Sequence, residues 1–208
     1  MFPFIKTLHP DGDSAYAKYM GDAVFKIPTA AMLVKVIEGI DQLDLAGEDS
    51  KGDLYEYLLS KIATAGTNGQ FRTPRHIIDM MVDMAAPQMT DTIVDPAMGS
   101  AGFLVGAQTY LRAHYGDELS SDTKFAQHFH TAMFHGYDMD RTMLRIGAMN
   151  MLLHGGENPD IAYKDSLSEK NEDAGRYTLV LAIPCSDLRA RLLSLPCISS
   201  QICTRTAC

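Results

Sequence analysis

The chain has no tryptophan and, before residue 185, no cysteine. A disulfide-braced secreted domain is therefore excluded for that stretch, because such frameworks spread their cysteines through the fold. No apolar run reaches the roughly eighteen residues of a membrane-spanning helix, so no membrane partner is expected. The start, Met1-Phe2-Pro3-Phe4-Ile5-Lys6, lacks the basic-then-apolar pattern of a secretory signal, and a cytoplasmic location is expected. Basic residues are also few, 18 Lys+Arg against 26 Asp+Glu, for a net charge of −8 over 208 residues. Strong, self-sufficient nucleic-acid binding normally needs a basic surface, which this balance argues against while leaving room for a subunit that meets DNA with help from a partner. What remains, with 46% apolar and 21% charged residues, is a globular composition.

The cysteines that do occur, Cys185, Cys197, Cys203 and Cys208, crowd the carboxyl-terminal end. They contain no Cys-x-x-Cys pair, and the last histidine is His154, so a zinc site is not indicated. Beyond residue 183 there are three arginines and one aspartate, whereas the body before it is strongly acidic. Composition and charge thus separate a tail from a body.

The body has two kinds of periodicity. Over residues 1–66 the pattern is helical: Met32, Leu33, Val36, Ile37 and Ile40 recur at helical spacing. Asp53 and Glu56 make a capping box for a second helix, with Leu54, Leu58 and Ile62 on one face, or simply a surface helix of a bundle. Thr73-Pro74 opens another, Thr73 as cap, with Ile77, Ile78, Met81, Met84 and Ala85 as its buried stripe. From residue 90 strands and helices alternate. Strands are predicted at Thr92–Val94, Phe134–Tyr137, Ile161–Tyr163 and Tyr177–Ala182, with helices over Gly102–Tyr115 and after the cap Asp140. Strands separated by helices imply βαβ units and a parallel sheet, an α/β fold preceded by a helical region.

Ligands of open parallel sheets sit beyond the carboxyl ends of the strands. Three strands here run out at or near an aspartate, Asp95, Asp138 and Asp165. The first turn, Asp95-Pro-Ala-Met-Gly-Ser-Ala-Gly102-Phe103, lacks the Gly-x-Gly-x-x-Gly spacing of a dinucleotide site and has a carboxylate at its entrance. Beside a pyrophosphate that charge is unfavourable, which argues against a nicotinamide dehydrogenase; beside the ammonium group of S-adenosylmethionine it is favourable. Asp138 then suits ribose hydroxyls, and Asp165 the adenine amine, with Leu167 or Phe103 on the ring. A lone strand-end aspartate is more often a cap or turn residue, as Asp140 is; the ordered series carries the argument.

Three segments, Gly69-Gln-Phe-Arg-Thr-Pro-Arg-His76, Asp95-Pro-Ala-Met-Gly-Ser-Ala-Gly-Phe-Leu104 and Gly136-Tyr-Asp-Met-Asp-Arg-Thr-Met-Leu-Arg-Ile-Gly-Ala-Met-Asn150, resemble the modification (M) subunits of type I restriction–modification systems. These are adenine-specific DNA methyltransferases, and the resemblance covers about residues 1–182. It implies a Rossmann-like S-adenosylmethionine-dependent methyltransferase core over 67–182 behind the helical region. Gln70, Phe71, Thr73 and Pro74 then match the segment that closes over the methionine end of the cofactor. Asp95, Pro96, Ala97, Gly99, Ser100 and Gly102 match the main cofactor loop. Asp138 matches the ribose ligand, and Asp165-Ser166-Leu167 the segment beside the adenine. Met98 stands where a cysteine is usual and Ala101 where a glycine is common. The implied partners are DNA through a specificity (S) subunit, a restriction (R) subunit and a second M subunit.

The resemblance breaks at the catalytic motif. The family has Asn-Pro-Pro-Phe after the fourth strand, where the Asn side chain and a proline carbonyl hold the target amine and the aromatic stacks on the flipped base. This chain reads Ile183-Pro184-Cys185-Ser186. Pro184 survives as the remnant of the motif, but Ile183 accepts no hydrogen bond and Ser186 cannot stack. Deleting one base from codons for Asn-Pro-Leu-Phe (AAU-CCC-CUG-UUC-G) yields Ile-Pro-Cys-Ser. Residues 183–208 are therefore expected to be an out-of-frame tail on a truncated sheet of four strands, leaving a chain without transferase activity. The alternative is a genuine divergent tail that binds metal or a partner.

Overall fold

The computed structural model describes residues 18–19, 26–42, 52, 54–59, 73–156, 158–166, 168, 173, 175–183 and 205–207. Its centre is a parallel sheet of β1 (Ile93–Asp95), β2 (Phe134–Asp138), β3 (Asp160–Tyr163), β4 (Leu179–Leu181) and β5 (Arg205–Ala207), in the order β3-β2-β1-β4-β5. Ile93 lies opposite Phe134 on one side and Leu179 on the other. The chain proceeds outward from β1 to β3, then crosses to the far side of β1 to form β4. That reversal opens a crevice at the carboxyl ends of β1 and β4, the usual ligand position of such sheets.

The sheet has five strands where four are expected from the sequence. Arg205–Ala207 pairs in parallel with Leu179–Leu181. The exposed edge of β4 carries unpaired backbone donors and acceptors, and a short extended segment satisfies them whatever its side chains.

Alternation along the strands divides the core in two. Ile93, Phe134, Ile161, Leu179 and Leu181 join helix residues in the main core, and Val94, Tyr137, Tyr177 and Val180 form a smaller cluster on the other face. The main face is covered by α3 (Gly102–Ser121) and α5 (Arg141–Leu153), with α2 (Arg75–Ala85) packed on α3. Leu104, Leu111 and Leu144 have no exposed surface; truncating any one to alanine should cost about 2–5 kcal/mol. Gly102 and Gly106 let α2 approach: a Cβ would stand 2.9 Å from Cδ1 of Ile78 and 2.7 Å from its Cγ2, respectively.

Several expected boundaries shift. Pro74 occupies the cap position of α2, with Thr73 one residue outside. Ile78, Met81, Val82 and Ala85 make its buried stripe, while Met84 is 75% exposed because, two residues on from Val82, it points to the opposite side of the helix. Helix α3 continues through Gly116, with a kink at Tyr115 (φ −130°, ψ 26°). A further helix, α4 (Thr123–Thr131), forms where the apolar periodicity predicts none. Its signals are a local cap, the Asp122 side chain accepting from Lys124 N at 2.8 Å and Phe125 N at 3.3 Å, and buried Phe125 and Phe129 one turn apart. Asp140 caps α5 as expected, accepting from Thr142 N at 2.7 Å.

In the amino-terminal part, α1 (Ala30–Asp41) forms where expected, with Thr29 as its cap, and Met32, Val36, Ile37 and Ile40 remain exposed. Residues 54–59 are helical, but Leu59 is buried and Leu58 exposed, one position away from the expected face. Asp53 and Ile62 lie outside the described residues. Glu56 reaches Arg75 and Asn150. Among the described residues no helix is long and apolar enough to cross a membrane.

Candidate functional site

The β1–α3 loop follows from two requirements: the chain must reverse within six residues of β1, and it must pass under α5. Gly99 (φ +52°) and Ala101 (φ +63°) both adopt left-handed backbone. Such a conformation is free for glycine and costs an alanine about 1–2 kcal/mol. Glycine would be the unstrained choice at the second position. Met98 is buried and occupies the space left by two absent side chains, Gly136 on β2 and Gly147 on α5. A bulkier residue than cysteine fits there because both neighbours are glycine.

Hydrogen bonds tie the loop to the end of β1, to β2 and to the segment after β3. Met98 N donates to Tyr137 O at 3.0 Å, and Gly99 N to Asp138 Oδ2 at 3.0 Å. Ser166 Oγ donates to Pro96 O at 2.7 Å, which brings the segment after β3 onto the loop. Asp95 Oδ1 accepts from Ala97 N at 3.1 Å. The order Asp95, Asp138, Asp165–Ser166 along the edge of β1, β2 and β3 thus agrees with the order expected from sequence.

The two inner carboxylates differ in environment. Asp95 is 2% exposed, and burial pushes its carboxyl up to about 7; the Ala97 amide opposes that rise and repulsion from Asp138 adds to it. Asp138 is half-buried, and its Oδ1 accepts from Asp140 N at 2.7 Å while Oδ2 holds Gly99. Each carboxylate oxygen has two lone pairs, so both retain an acceptor site for ligand hydroxyls. Two mutually repelling carboxylates beside this turn favour a ligand that brings positive charge and hydroxyl donors. The chemistry of these donors and acceptors fits S-adenosylmethionine.

Other expected site residues are placed as follows. Pro96, Ala97 and Ser100 lie in the loop, half-buried, and Gly102 starts α3 against Ile78. Phe103 is 5% exposed and belongs to the main core. Thr73 is half-buried and Pro74 exposed ahead of α2; Asp165 is exposed beyond β3. Ile183, 46% exposed, follows β4. Gln70, Phe71, Leu167, Pro184 and Ser186 lie outside the described residues. Asn150, not expected at the site from the residue order, donates from its amide Nδ2 to Ser100 O at 2.9 Å. Only the packing of α5 over the loop reveals that contact.

The fold and the carboxylate-edged loop define a Rossmann-like α/β core of the S-adenosylmethionine-dependent methyltransferase class. The family described as N-6 DNA methylase matches residues 46–186. The chain belongs to that family. It is 29% identical over 167 residues to the type I restriction enzyme EcoEI methylase subunit of Escherichia coli, spanning 76% of this chain and 33% of that protein. It is 36% identical over 132 residues to the StySJI methylase subunit of Salmonella typhimurium, 59% of this chain and 25% of that one. Among solved structures, a modification subunit of a putative type I restriction enzyme from Vibrio vulnificus superposes with a TM-score of 0.69 at 23% identity, over 87% of this chain and 39% of that one. A type I methyltransferase subunit from Streptococcus thermophilus gives 0.64 at 25% identity, over 88% and 39%. The chain therefore spans about a quarter to two-fifths of the length of these relatives. The resemblance to M subunits drawn from the three motifs is borne out.

Proposed function

We propose that this chain is the cofactor-holding part of a type I M subunit, a protein that transfers a methyl group from S-adenosylmethionine to the N6 amine of adenine in DNA. The observation that carries the reading is the loop between Asp95 and Asp138, shaped by left-handed Gly99 and Ala101. When bound there, the cofactor supplies an electrophilic methyl group. Ionised Asp95 favours its ammonium end, Asp138 accepts from the ribose, and Asp165 with Ser166 lies toward the adenine. Gln70, Phe71, Thr73 and Pro74 cover the methionine end, which gives residues 67–182 the role of cofactor core and 1–66 that of a helical adjunct.

Transfer itself needs an acceptor for the target amine beyond β4. Ile183 presents none, so the chain as it stands holds cofactor without completing transfer, and residues 183–208 are an aberrant, out-of-frame tail. DNA would be reached through a specificity subunit, in a cytoplasmic assembly with a restriction subunit and a second M subunit; the net charge of −8 accords with that dependence.

Calorimetric titration of the full chain should show binding of S-adenosylhomocysteine and none of NAD. The reverse preference would sink the cofactor assignment. A tritiated-methyl assay on DNA with specificity subunit added should show no incorporation, and measurable transfer would overturn the inactivity of the chain.

A further inference from the structure

Asn150 is fully buried on α5, and its Nδ2 faces two acceptors from different parts of the chain. It donates to Ser100 O in the β1–α3 loop at 2.9 Å and to Glu56 Oε1 in the helical segment 54–59 at 3.4 Å. Two acceptors on one atom identify that atom as the NH2 of the amide. The other oxygen of Glu56 pairs with Arg75 Nη1 at 3.3 Å. Arg75 is the first residue of α2, directly after Thr73-Pro74. One turn before Asn150, Gly147 admits the loop: a Cβ there would stand 3.3 Å from Gly99 O and 3.3 Å from Ala101 Cβ.

We propose that Asn150 is a positioning residue that joins the two sides of the cofactor site through the chain Ser100–Asn150–Glu56–Arg75, so that the β1–α3 loop and the first turn of α2 are held as one unit. The inference deepens the cofactor reading above and rests on it for its consequence in binding. Helix α5 is anchored by fully buried Leu144 and Met151, which makes the amide a fixed point between two separate segments. Asparagine suits the position because one nitrogen provides two donors. Aspartate would provide none when ionised and would face the Glu56 carboxylate; leucine would fill the volume without either bond. Asn150 Oδ1 is buried without a hydrogen-bond partner among the described residues. A buried unsatisfied acceptor is unfavourable, a cost that a purely space-filling residue would not incur.

The test compares amide hydrogen exchange of the full chain with Asn150→Asp, Glu56→Ala and, as control, Gln108→Leu. Gln108 is an equally buried amide whose donor goes to His154 O, away from the loop. The reporters are Gly99 and Ala101, bonded to Asp138 and to Met98 O, and Ile77 and Ile78, bonded to Pro74 O. Asn150→Asp and Glu56→Ala should speed exchange in both groups together by about tenfold, the size expected for coupling of this kind. Gln108→Leu should leave the two groups no faster than the rest of α3. S-adenosylhomocysteine affinity should fall about tenfold in Asn150→Asp and stay within about twofold in Gln108→Leu. If Glu56→Ala alters only the α2 amides, or Asn150→Asp behaves as Gln108→Leu does, the inference is overturned. Exchange is read without ligand, so failure of the unmodified chain to bind S-adenosylhomocysteine would sink the cofactor reading alone.

Discussion

The carboxyl edge of the sheet has two contrasting ends. At β1 and β2 the backbone turns sharply, with left-handed Gly99 and Ala101, and its N–H groups are met by Asp95 and Asp138. At β4 the fully buried Leu179 and Leu181 lead to Ile183, an aliphatic side chain 46% exposed at the same topological crevice. One end is furnished with acceptors held in place before any ligand arrives; at the other, the Ile183 side chain offers none. The proposed division between cofactor binding and methyl transfer rests on that difference along one edge.

The contrast should break most visibly when one residue at each end is changed. Asp95→Ala should weaken S-adenosylhomocysteine by about a hundredfold, the loss of a charge-assisted contact, whereas Ile183→Asn should change it by less than about threefold. Equal effects in calorimetry would refute the division. Gly147→Ala should come next. Its Cβ would press on Met98 Cε at 2.7 Å and on the loop carbonyl of Gly99 at 3.3 Å, and overpacking of this kind costs about 1–3 kcal/mol. Chemical denaturation would measure the loss, and an unchanged midpoint would mean that the loop yields freely.

A pH series sharpens the same end. The buried Asp95 carboxyl is raised to about 7 by burial, with Asp138 adding to the rise. Between the usual carboxylate range and pH 7 the folded chain holds this proton while the unfolded chain has released it. The residue's contribution to stability therefore falls as pH rises through that window. A cationic ligand needs the ionised form, so affinity should climb by up to about tenfold per pH unit below 7 and level off above it. Asp95→Asn should abolish the slope; a slope that persists would assign it to another group. The smallest effect is expected from Ala101→Gly. Relief of a left-handed alanine, about 1–2 kcal/mol, is partly offset by losing a buried methyl worth about 0.8 kcal/mol. The melting temperature should hold or rise slightly, and a marked drop would show that the methyl matters more than the backbone.

Much of this arrangement was legible in the residue order. Strand-end aspartates, a glycine turn and a capped helix are local signals, and Asp95, Asp138 and the Asp140 cap appear where such signals put them. Less local features were not legible. Met84 and Val82 are both apolar and both on α2, and only the position of α3 buries one and exposes the other. Phe103 reads equally as a ring-stacking residue or a core residue, and the packing of α3 places it in the core. The pairing of Arg205–Ala207 with β4 has no apolar alternation to announce it, since backbone groups alone make the ladder.

The sequence by itself determined the class of fold and the order of the carboxylates along the sheet edge. Those depend on periodicity, turn chemistry and side-chain type, all of which are written within a few residues. The tertiary structure alone decided that Asp95 is buried enough to hold a proton near neutral pH, that Met98 fills the gap between Gly136 and Gly147, and that Asn150 joins Ser100 to Glu56. Each of those depends on segments distant in sequence meeting in space, where local dielectric, free volume and donor geometry are set by the neighbours rather than by the residue.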